Sequence, residues 1–253
     1  MEARRGAGAE AVERTAQPVA DDVAARLRRD RAALAERSST AERVAEMLRT
    51  RIIEGLFPPG SRLPEEVIAD GLAVSRNTVR EAFRLLSHEG LAAHEFNRGV
   101  FVPVPELEDV VDVYRVRRVV EVGAAGMVAT ASPSALRAVR AAVDGGRRAA
   151  RANRWDDVGT ADLAFHQAIA GLAGSPRIDD MMRRILAELR LVFHIMADPQ
   201  RFHAPYLDRN QKIAEVLERG DGDGAVRELL VYLDDAQAQL LEAYHAARGS
   251  VTR

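Results

Sequence analysis

Apolar residues recur at three- and four-residue spacing along most of the chain, a pattern typical of amphipathic α-helices. From Glu42 to Gly55 the recurring positions are Val44, Met47, Leu48, Ile52 and Ile53. Hydroxyl side chains at residues 38–40 precede this stretch and can cap a helix, whereas a glycine is a common helix end. The pattern therefore predicts a first helix that ends near Gly55.

A second helix is predicted after Pro64, through Ile68 to Leu72, and a third begins after Ser75. Ser75 is a suitable N-cap, because its side-chain oxygen can accept a hydrogen bond from an amide of the first turn. The third helix separates apolar and basic residues onto opposite faces. The apolar face carries Val79, Phe83 and Leu86, and the basic face carries Arg76, Arg80 and Arg84.

Two short extended segments, residues 91–96 and 99–102, follow the third helix. They flank a turn with Asn97, Arg98 and Gly99, and an Asn and a Gly in such positions suit a hairpin. Pro103 and Pro105 then predict a short, stiff linker. Three helices followed by a hairpin describe a winged helix-turn-helix, which we predict for residues 39–104.

The chain after Leu107 carries only helical patterns. Breaks at Pro, Gly and Asn residues predict six helices, at residues 107–130, 134–151, 154–173, 177–197, 203–219 and 223–247. Residues 105–250 are therefore expected to form an all-helical domain, antiparallel where its loops are short. The predicted fold class is mainly α, with an N-terminal winged helix-turn-helix and a C-terminal all-α bundle.

The remaining sequence features bear on localisation. Residues 1–38 contain few large apolar side chains, so we expect a disordered tail. No apolar run reaches the roughly 20 residues of a membrane span, and the first residues lack the apolar core of a secretory signal. The chain has no cysteine, which excludes disulfides and thiolate metal sites. These features favour a cytoplasmic protein without a membrane partner.

The net charge of -2 excludes nucleic-acid binding through bulk basicity. Residues 39–104 hold eight arginines and nine acidic residues, which gives a net charge of -1 for the predicted DNA-binding domain. Any DNA binding must then depend on the placement of individual cations. Nearly every cation is Arg, whose fork suits phosphate and guanine. A compositional bias of the genome explains this uniform choice equally well.

Several short motifs lie between residues 52 and 102: IIEG (52–55), PGSRLP (59–64), VSR (74–76), VREA (79–82), EGL (89–91) and NRG (97–99). This combination resembles the DNA-binding domain of the GntR family of bacterial transcription regulators. The sequence departs from the family pattern at Val67, where several relatives carry a polar residue. It departs again at Ala73, which replaces the usual turn glycine and should cost little if the turn avoids positive φ.

The C-terminal part carries RRVVE (117–121), DLAFH (162–166) and GD (220–221) followed by Ala225. It is similar to the FadR-type (FCD) ligand-sensing domain, and the two resemblances together cover about residues 40–247. They imply a ligand-responsive transcription regulator that is not an enzyme. Such a protein would act as a homodimer, repress by binding a palindromic operator in double-stranded DNA, and be released or remodelled by a small effector.

The resemblance implies that the start of the third helix and the wing contact DNA. Arg76 and Arg80 lie at the end of the helix that enters the major groove, where an Arg fork can read guanine. The predicted DNA-binding residues are Ser75, Arg76, Asn77, Thr78, Arg80, Arg84, Asn97, Arg98 and Gly99. From spacing alone, a solvated arginine face is the simpler interpretation, and for Arg84 the alternative is a pair with Glu81.

Asp162 and His166 are four residues apart, so both point to the same side of a helix. In FadR-type domains that bind metal, two histidines on the last two helices join this Asp and His. The matching positions here are Asn210 and Tyr232, and the loss of two imidazoles weakens a transition-metal site. A divalent metal at Asp162, His166 and Asn210, with His194 or His203 as substitute ligands, remains an alternative. The sequence indicates no certain cofactor.

We favour a small carboxylate effector held by Asp162, His166, Asn210 and Tyr232, with Arg117 as a bidentate clamp. Two other interpretations of these residues stay open: a buried polar network whose members satisfy one another, and an i,i+4 pair between Arg117 and Glu121. At the level of function, the alternatives are a metal-dependent enzyme that uses the helical domain and a DNA-binding dimer with a vestigial sensor pocket.

Overall fold

The computed structural model describes residues 39–194 and 198–251, with side chains up to residue 245. The predicted disordered tail, residues 1–38, lies outside the described residues. The chain divides into two compact units between Pro103 and Val104. Among the described helices, none is long and apolar enough to cross a membrane.

The first unit has three helices and a small antiparallel sheet, as predicted. Its elements are α1 (Thr40–Ile53), β1 (Arg62–Leu63), α2 (Glu65–Leu72), α3 (Arg76–His88), β2 (Ala93–Glu95) and β3 (Gly99–Phe101). The strand order is β1-β3-β2, with Arg62 opposite Phe101 and Glu95 opposite Gly99. The prediction of a winged helix-turn-helix is confirmed, although β1 was not expected.

The N-terminal ends of α1 and α3 are capped by the serines that the sequence indicated. The Ser39 amide donates to a Glu42 carboxylate oxygen at 2.7 Å, and the Glu42 amide donates back to Ser39 Oγ at 3.1 Å. The Thr78 amide donates to Ser75 Oγ at 3.1 Å, which fixes the start of α3. The three helices then bury one common core of Val44, Leu48, Ile52, Ile68, Leu72, Val79, Phe83 and Leu86.

The turn between α2 and α3 contains a left-handed residue, because Ala73 has φ 52° and ψ 46°. The sequence predicts that Ala73 costs little stability if the turn avoids positive φ. The turn does not avoid it, so this condition is not met. A left-handed backbone costs an L-residue about 1–2 kcal/mol. The amides of Ala73 and Val74 still donate to the carbonyls of Asp70 and Ala69, so the helix end is closed in the usual way.

The second unit is helical throughout, as predicted. It comprises α4 (Leu107–Gly126), a 3₁₀ turn (Val128–Thr130), α5 (Pro133–Arg151), α6 (Trp155–Gly171), α7 (Pro176–Phe193), α8 (Pro199–Glu218) and α9 (Gly222–Val251). Helix α8 begins four residues before the predicted start at residue 203. Asp198 explains the difference, since its side chain accepts the Arg201 amide at 2.9 Å and Pro199 occupies the first helical position.

Helix α6 lies at the centre of this bundle and packs against α4, α5, α7 and α8. Its buried side chains include Phe165, His166 and Ile169. Helix α9 packs against α4 and α8 and contributes Leu229, Tyr232 and Leu233 to the core. Polar residues on the inner faces of α4, α6, α8 and α9 must therefore find their partners inside the bundle.

Candidate functional site

The first unit exposes the arginines of α3 on an open groove of about 760 Å³. The side chains of Arg76 and Arg80 are 57% and 59% exposed. The groove is bounded by α2, α3 and the sheet, and its other basic side chains are Arg62, Arg84 and His94. Glu65 and Glu66 also line the groove, but basic side chains outnumber them, and such a groove beside a helix start suits the phosphate backbone of a nucleic acid. Arg62 and His94 were not among the predicted site residues.

One carboxylate, Glu65, holds both Arg76 and Arg80. Arg76 Nε donates to Glu65 Oε1 at 2.9 Å, and Arg80 Nε donates to Glu65 Oε2 at 3.0 Å. Burial alone would raise the pKa of Glu65, but the two guanidinium groups outweigh it and hold that pKa below its usual range. Glu65 was not predicted as a site residue, because its partners are 11 and 15 residues away on another helix.

The other predicted residues of α3 make local contacts. Ser75 Oγ and Thr78 Oγ1 lie 2.8 Å apart, so both hydroxyls take part in the helix cap. Arg84 Nη1 donates to Glu81 Oε2 at 2.6 Å, which is the pair that the sequence offered as the alternative. Asn77 is exposed at the start of the helix. Ser75, Asn77 and Thr78 lie at the N-terminal end of α3, where backbone amides can also receive a phosphate.

The wing tip is a tight turn with two left-handed residues, Asn97 at φ 58° and Gly99 at φ 112°. Arg98 forms an ion pair with Glu95, and its guanidinium carbon lies 5.2 Å from the centroid of the Phe101 ring. Beside them Phe96 is 85% exposed. An exposed apolar side chain at the tip of a wing suits contact with sugars and base edges in a minor groove.

A buried polar network lies between the helices of the second unit. Asp162 Oδ1 accepts hydrogen bonds from Asn210 Nδ2 and from the Tyr232 hydroxyl, each at 2.8 Å. His166 Nε2 lies 4.0 Å from Asp162 Oδ2, and its ring packs edge-on against Tyr232 with centroids 5.0 Å apart. The structure thus brings together the four residues that the sequence proposed on α6, α8 and α9.

Glu121 extends this network and is fully buried. Its Oε2 lies 2.6 Å from His166 Nδ1, and its Oε1 accepts a hydrogen bond from Arg117 Nε at 2.7 Å. The Arg117 guanidinium also lies over the Tyr114 ring, 4.7 Å from its centroid. A carboxylate one turn along α4 therefore already pairs with Arg117, and Nη2 is the part of its guanidinium that has no hydrogen-bond partner among the described residues.

The carboxyl groups of the network are held in the ionised form. Burial alone would raise the pKa of Glu121, but Arg117 and His166 outweigh this effect and the pKa lies below its usual range. The pKa of Asp162 is lowered against its burial in the same way, by nearby histidines and by the hydrogen bonds it accepts. Burial raises the pKa of Tyr232 well above 10, so its hydroxyl remains a donor at neutral pH.

Some buried polar atoms around the network have unused hydrogen-bonding capacity. Within the described ranges, Arg117 Nη2, His166 Nε2, His203 Nδ1 and Asn210 Oδ1 are buried without a hydrogen-bond partner. A cavity of about 10 Å³ lies beside two of these residues, His203 and Asn210, and Asp162 also lines it. This is room for about one water molecule. A larger molecule can reach these atoms only if side chains or helices move.

His203, one of the proposed substitute metal ligands, lies against α6 next to Gly159. A Cβ at residue 159 would lie 2.7 Å from His203 Nε2 and 2.8 Å from Arg190 Nη1, so the glycine permits this close approach. The His203 ring packs edge-on against Phe193 and Phe202, with centroids 4.9 Å apart in both cases. Burial lowers its pKa, which favours the neutral imidazole.

The residues around Asp162 do not fit a transition-metal site. No three His, Cys, Asp or Glu side chains of the described part of the chain come together in a way that could hold a metal ion. Asp162 Oδ1 already accepts two hydrogen bonds, and a protonated phenol such as Tyr232 is a poor metal ligand. The donor set favours a network held together by hydrogen bonds.

The two units define a class of protein, a transcription regulator with a winged-helix DNA-binding domain and a helical regulatory domain. Residues 40–102 match the family model of the bacterial regulatory proteins of the gntR family, and residues 112–235 match that of the FCD domain. The chain belongs to the GntR family of bacterial regulatory proteins and carries an FCD domain. The resemblance inferred from its motifs is thus confirmed.

Known relatives agree with this assignment. A solved structure described as a transcriptional regulator GntR from Rhodococcus sp. RHA1 is 48% identical, covers 82% of this chain and 100% of its own, and superposes with a TM-score of 0.78. The HTH-type transcriptional repressor RspR of Escherichia coli K12 is 25% identical over 77% of this chain and 86% of its own length. The gluconate operon transcriptional repressor of Bacillus subtilis is 38% identical over 34% of this chain. The matched part spans only 35% of the length of that repressor.

Proposed function

We propose that this protein is a dimeric, ligand-responsive transcriptional repressor. It binds a palindromic operator through the winged helix and is released or remodelled by a small carboxylate effector in the FCD domain. The observation that carries the DNA-binding part is the pair Arg76 and Arg80, exposed at the N-terminal end of α3 on a basic groove. The names of two relatives, both repressors, support the sign of regulation.

In this proposal α3 enters the major groove with its N-terminal end first. Arg76 and Arg80 read guanines, each with its forked end toward O6 and N7. Arg62, Arg84 and His94 line the groove and contact phosphates, which positions the helix without reading sequence. The wing residues Phe96, Asn97, Arg98 and Gly99 then follow the backbone into the neighbouring minor groove.

Exposed apolar residues on the FCD domain support a dimer. Val119 on α4 is 78% exposed, and Val231 and Leu230 on α9 are 56% and 38% exposed. Helices α4 and α9 pack against each other, so these side chains belong to neighbouring elements. A two-fold symmetric dimer places two winged helices on half-sites about one helical turn apart, or a multiple of it, which is why the proposed operator is palindromic.

Replacing Arg80 by alanine tests the DNA-binding part. The loss of one bidentate contact to guanine should weaken operator binding by about 1–3 kcal/mol, roughly 5- to 150-fold. Fluorescence anisotropy with duplexes from the region upstream of the gene, and with scrambled duplexes of equal composition, measures both affinity and sequence preference. Arg115→Ala is the matched control, because Arg115 is a 72% exposed arginine of the FCD domain. Equal binding of wild type and Arg80→Ala, without sequence preference, contradicts the proposal.

The effector part rests on the buried polar atoms that lack partners. Arg117 Nη2 can donate to a carboxylate, and so can His166 Nε2 when it carries a proton. The cavity beside Asp162 is too small for such a ligand. The helices of the ligand-bound bundle must therefore pack differently from those of the ligand-free bundle. A ligand that prefers one packing shifts the equilibrium between the two, which is the linkage that regulation of DNA binding requires.

A thermal-shift screen of small carboxylates and sugar acids tests the effector part. A true effector at 100 times its Kd should stabilise the FCD domain by about 2.7 kcal/mol. The same compound should change the affinity of the wild-type protein for its operator. Asn210→Ala should lose the response, because it removes one of the atoms proposed to hold the ligand. If no carboxylate stabilises the wild-type protein, the alternative of a DNA-binding dimer with a vestigial pocket is favoured.

A further inference from the structure

We infer that Glu65 is a positioning residue for sequence readout, which fixes Arg76 and Arg80 as one rigid pair for two guanines of the same half-site. The inference rests on the proposed DNA-binding function and deepens it. Glu65 itself contacts no base in this arrangement. It acts through the two arginines, and its position at the first residue of α2 makes it part of the groove wall.

The hydrogen bonds leave the recognition ends of both arginines available. Each oxygen of Glu65 accepts one bond, and in each case the donor is the inner Nε of the guanidinium. A guanine can accept from the two terminal nitrogens of an arginine through O6 and N7. Glu65 and a guanine therefore use different donors of the same side chain. The carboxylate can stay bound while the arginine reads a base.

Rigid side chains matter here because Arg is costly to order. A free arginine side chain loses rotamer freedom when it binds, and the cost is paid separately for each of the two. Arg76 and Arg80 are more than half exposed, so core packing does not hold them. Glu65 is only 24% exposed and lies on a different helix, which makes it a fixed anchor for both. One carboxylate thus orders two long side chains before DNA arrives.

The charge of Glu65 alone has the opposite effect. A carboxylate close to the phosphate backbone repels it, and this repulsion weakens binding to every sequence equally. Removing the charge should then strengthen both specific and non-specific binding. Removing a positioning residue should weaken binding to the preferred site only. The two roles predict opposite signs for one substitution, so a single set of affinities separates them.

Glu66 provides the matched control. It is the next residue of α2, carries the same charge, and its carboxylate lies 3.9 Å from Arg76 Nη1. The Glu66 side chain is 75% exposed. Its ion pair is with Arg76, whereas the ion pair of Arg80 is with Glu65. Glu66→Gln therefore removes the same charge from the same region without releasing the arginine pair. Asp70, the third acid that faces Arg76, is left unchanged in all variants.

The experiment uses the full-length protein and one preferred duplex, selected by the wild type from a pool with a random centre. Anisotropy gives the affinity for this duplex and for a scrambled one of equal composition. Glu65→Gln should bind the preferred duplex about 10-fold more weakly, and the scrambled duplex equally or more tightly. Glu66→Gln should keep the ratio of the two affinities within about twofold of the wild-type ratio.

Glu65→Asp keeps the charge on a side chain too short to hold both arginines in the same way. Positioning predicts that this variant also loses specificity, whereas a pure charge effect predicts wild-type behaviour. If Glu65→Gln or Glu65→Asp leaves the ratio unchanged, the inference is wrong even when Arg80→Ala abolishes the preference. If the wild type enriches no duplex at all, the proposed function fails and the inference fails with it.

Discussion

Replacing Glu121 by alanine should destabilise the FCD domain by about 3–5 kcal/mol. The side chains of Glu121 and Arg117 are 0% and 1% exposed, so the variant leaves a guanidinium buried without its carboxylate. It also removes the acceptor 2.6 Å from His166 Nδ1, and a second polar group loses its partner. Urea unfolding followed by the fluorescence of Trp155, the single Trp of the chain, measures the loss in this domain.

Two further variants show whether the loss comes from the unpaired charge. Glu121→Leu combined with Arg117→Met removes both charges, and it should recover much of the stability. Asp112→Ala is the surface control. Asp112 Oδ1 lies 3.8 Å from Arg115 Nη1, and both side chains are 72% exposed. Losing this exposed pair should change the free energy of unfolding by less than about 1 kcal/mol. A loss below about 1 kcal/mol for Glu121→Ala would show that the buried pair is dispensable.

The same pair should make the stability of the domain depend on pH at the acid side. The pKa of Glu121 in the folded protein lies below its ordinary value of 4.5, so the folded state binds this proton less readily than the unfolded state. The resulting stability is present above the unfolded pKa and is lost as the pH falls through the folded one. Unfolding measured from neutral pH downward should therefore show a smaller acid loss for Glu121→Gln than for the wild type.

Replacing both Asn210 and Tyr232 by histidine should create a zinc site that the wild type lacks. The family resemblance places histidines at these two positions in relatives that bind metal. In this chain both residues donate to Asp162 Oδ1, so the substitution exchanges two hydrogen-bond donors for two imidazole ligands beside Asp162 and His166. At zinc concentrations 100 to 1,000 times its Kd, the double variant should gain about 3–4 kcal/mol of stability.

Titration calorimetry and melting curves with zinc or a chelator check this result. The wild type should show no shift with either reagent. Adding Asp162→Ala to the double variant should abolish the zinc-dependent gain, because it removes a ligand of the new site. A wild-type protein that melts at a lower temperature after chelation would instead support the metal alternative left open by the sequence.

The helical periodicity predicted most of the fold because it reports which residues face a core. It placed α1, α2 and α3 and the six helices of the second unit close to their observed bounds. Strand β1 was missed because it has only two residues, Arg62 and Leu63. A strand of this length is too short to show an alternation of apolar and polar side chains. The start of α8 was misplaced because its cap is a single side-chain contact by Asp198, which leaves no periodic trace.

The candidate sites were predictable only where their members share a motif. Asp162 and His166 share one turn of α6, and the family resemblance supplied Asn210 and Tyr232. Glu121 was considered only as a partner of Arg117, because its second bond reaches His166, 45 residues further along the chain. Glu65 had no local signal either, since its two partners lie on a different helix. Contacts between helices follow from packing, and local spacing does not encode them.

We expect the pairing of the arginines in the winged helix to affect how the protein searches DNA for its proposed operator. At least six of them already have a carboxylate partner: Arg49 with Glu89, Arg51 with Glu54, Arg76 and Arg80 with Glu65, Arg84 with Glu81 and Arg98 with Glu95. Purely electrostatic binding would leave most regulator molecules bound to random sequences. Because these arginines are paired within the domain, its electrostatic attraction for DNA of random sequence should be small. A larger share then stays unbound, ready to occupy the few correct sites among about a million or more competitors.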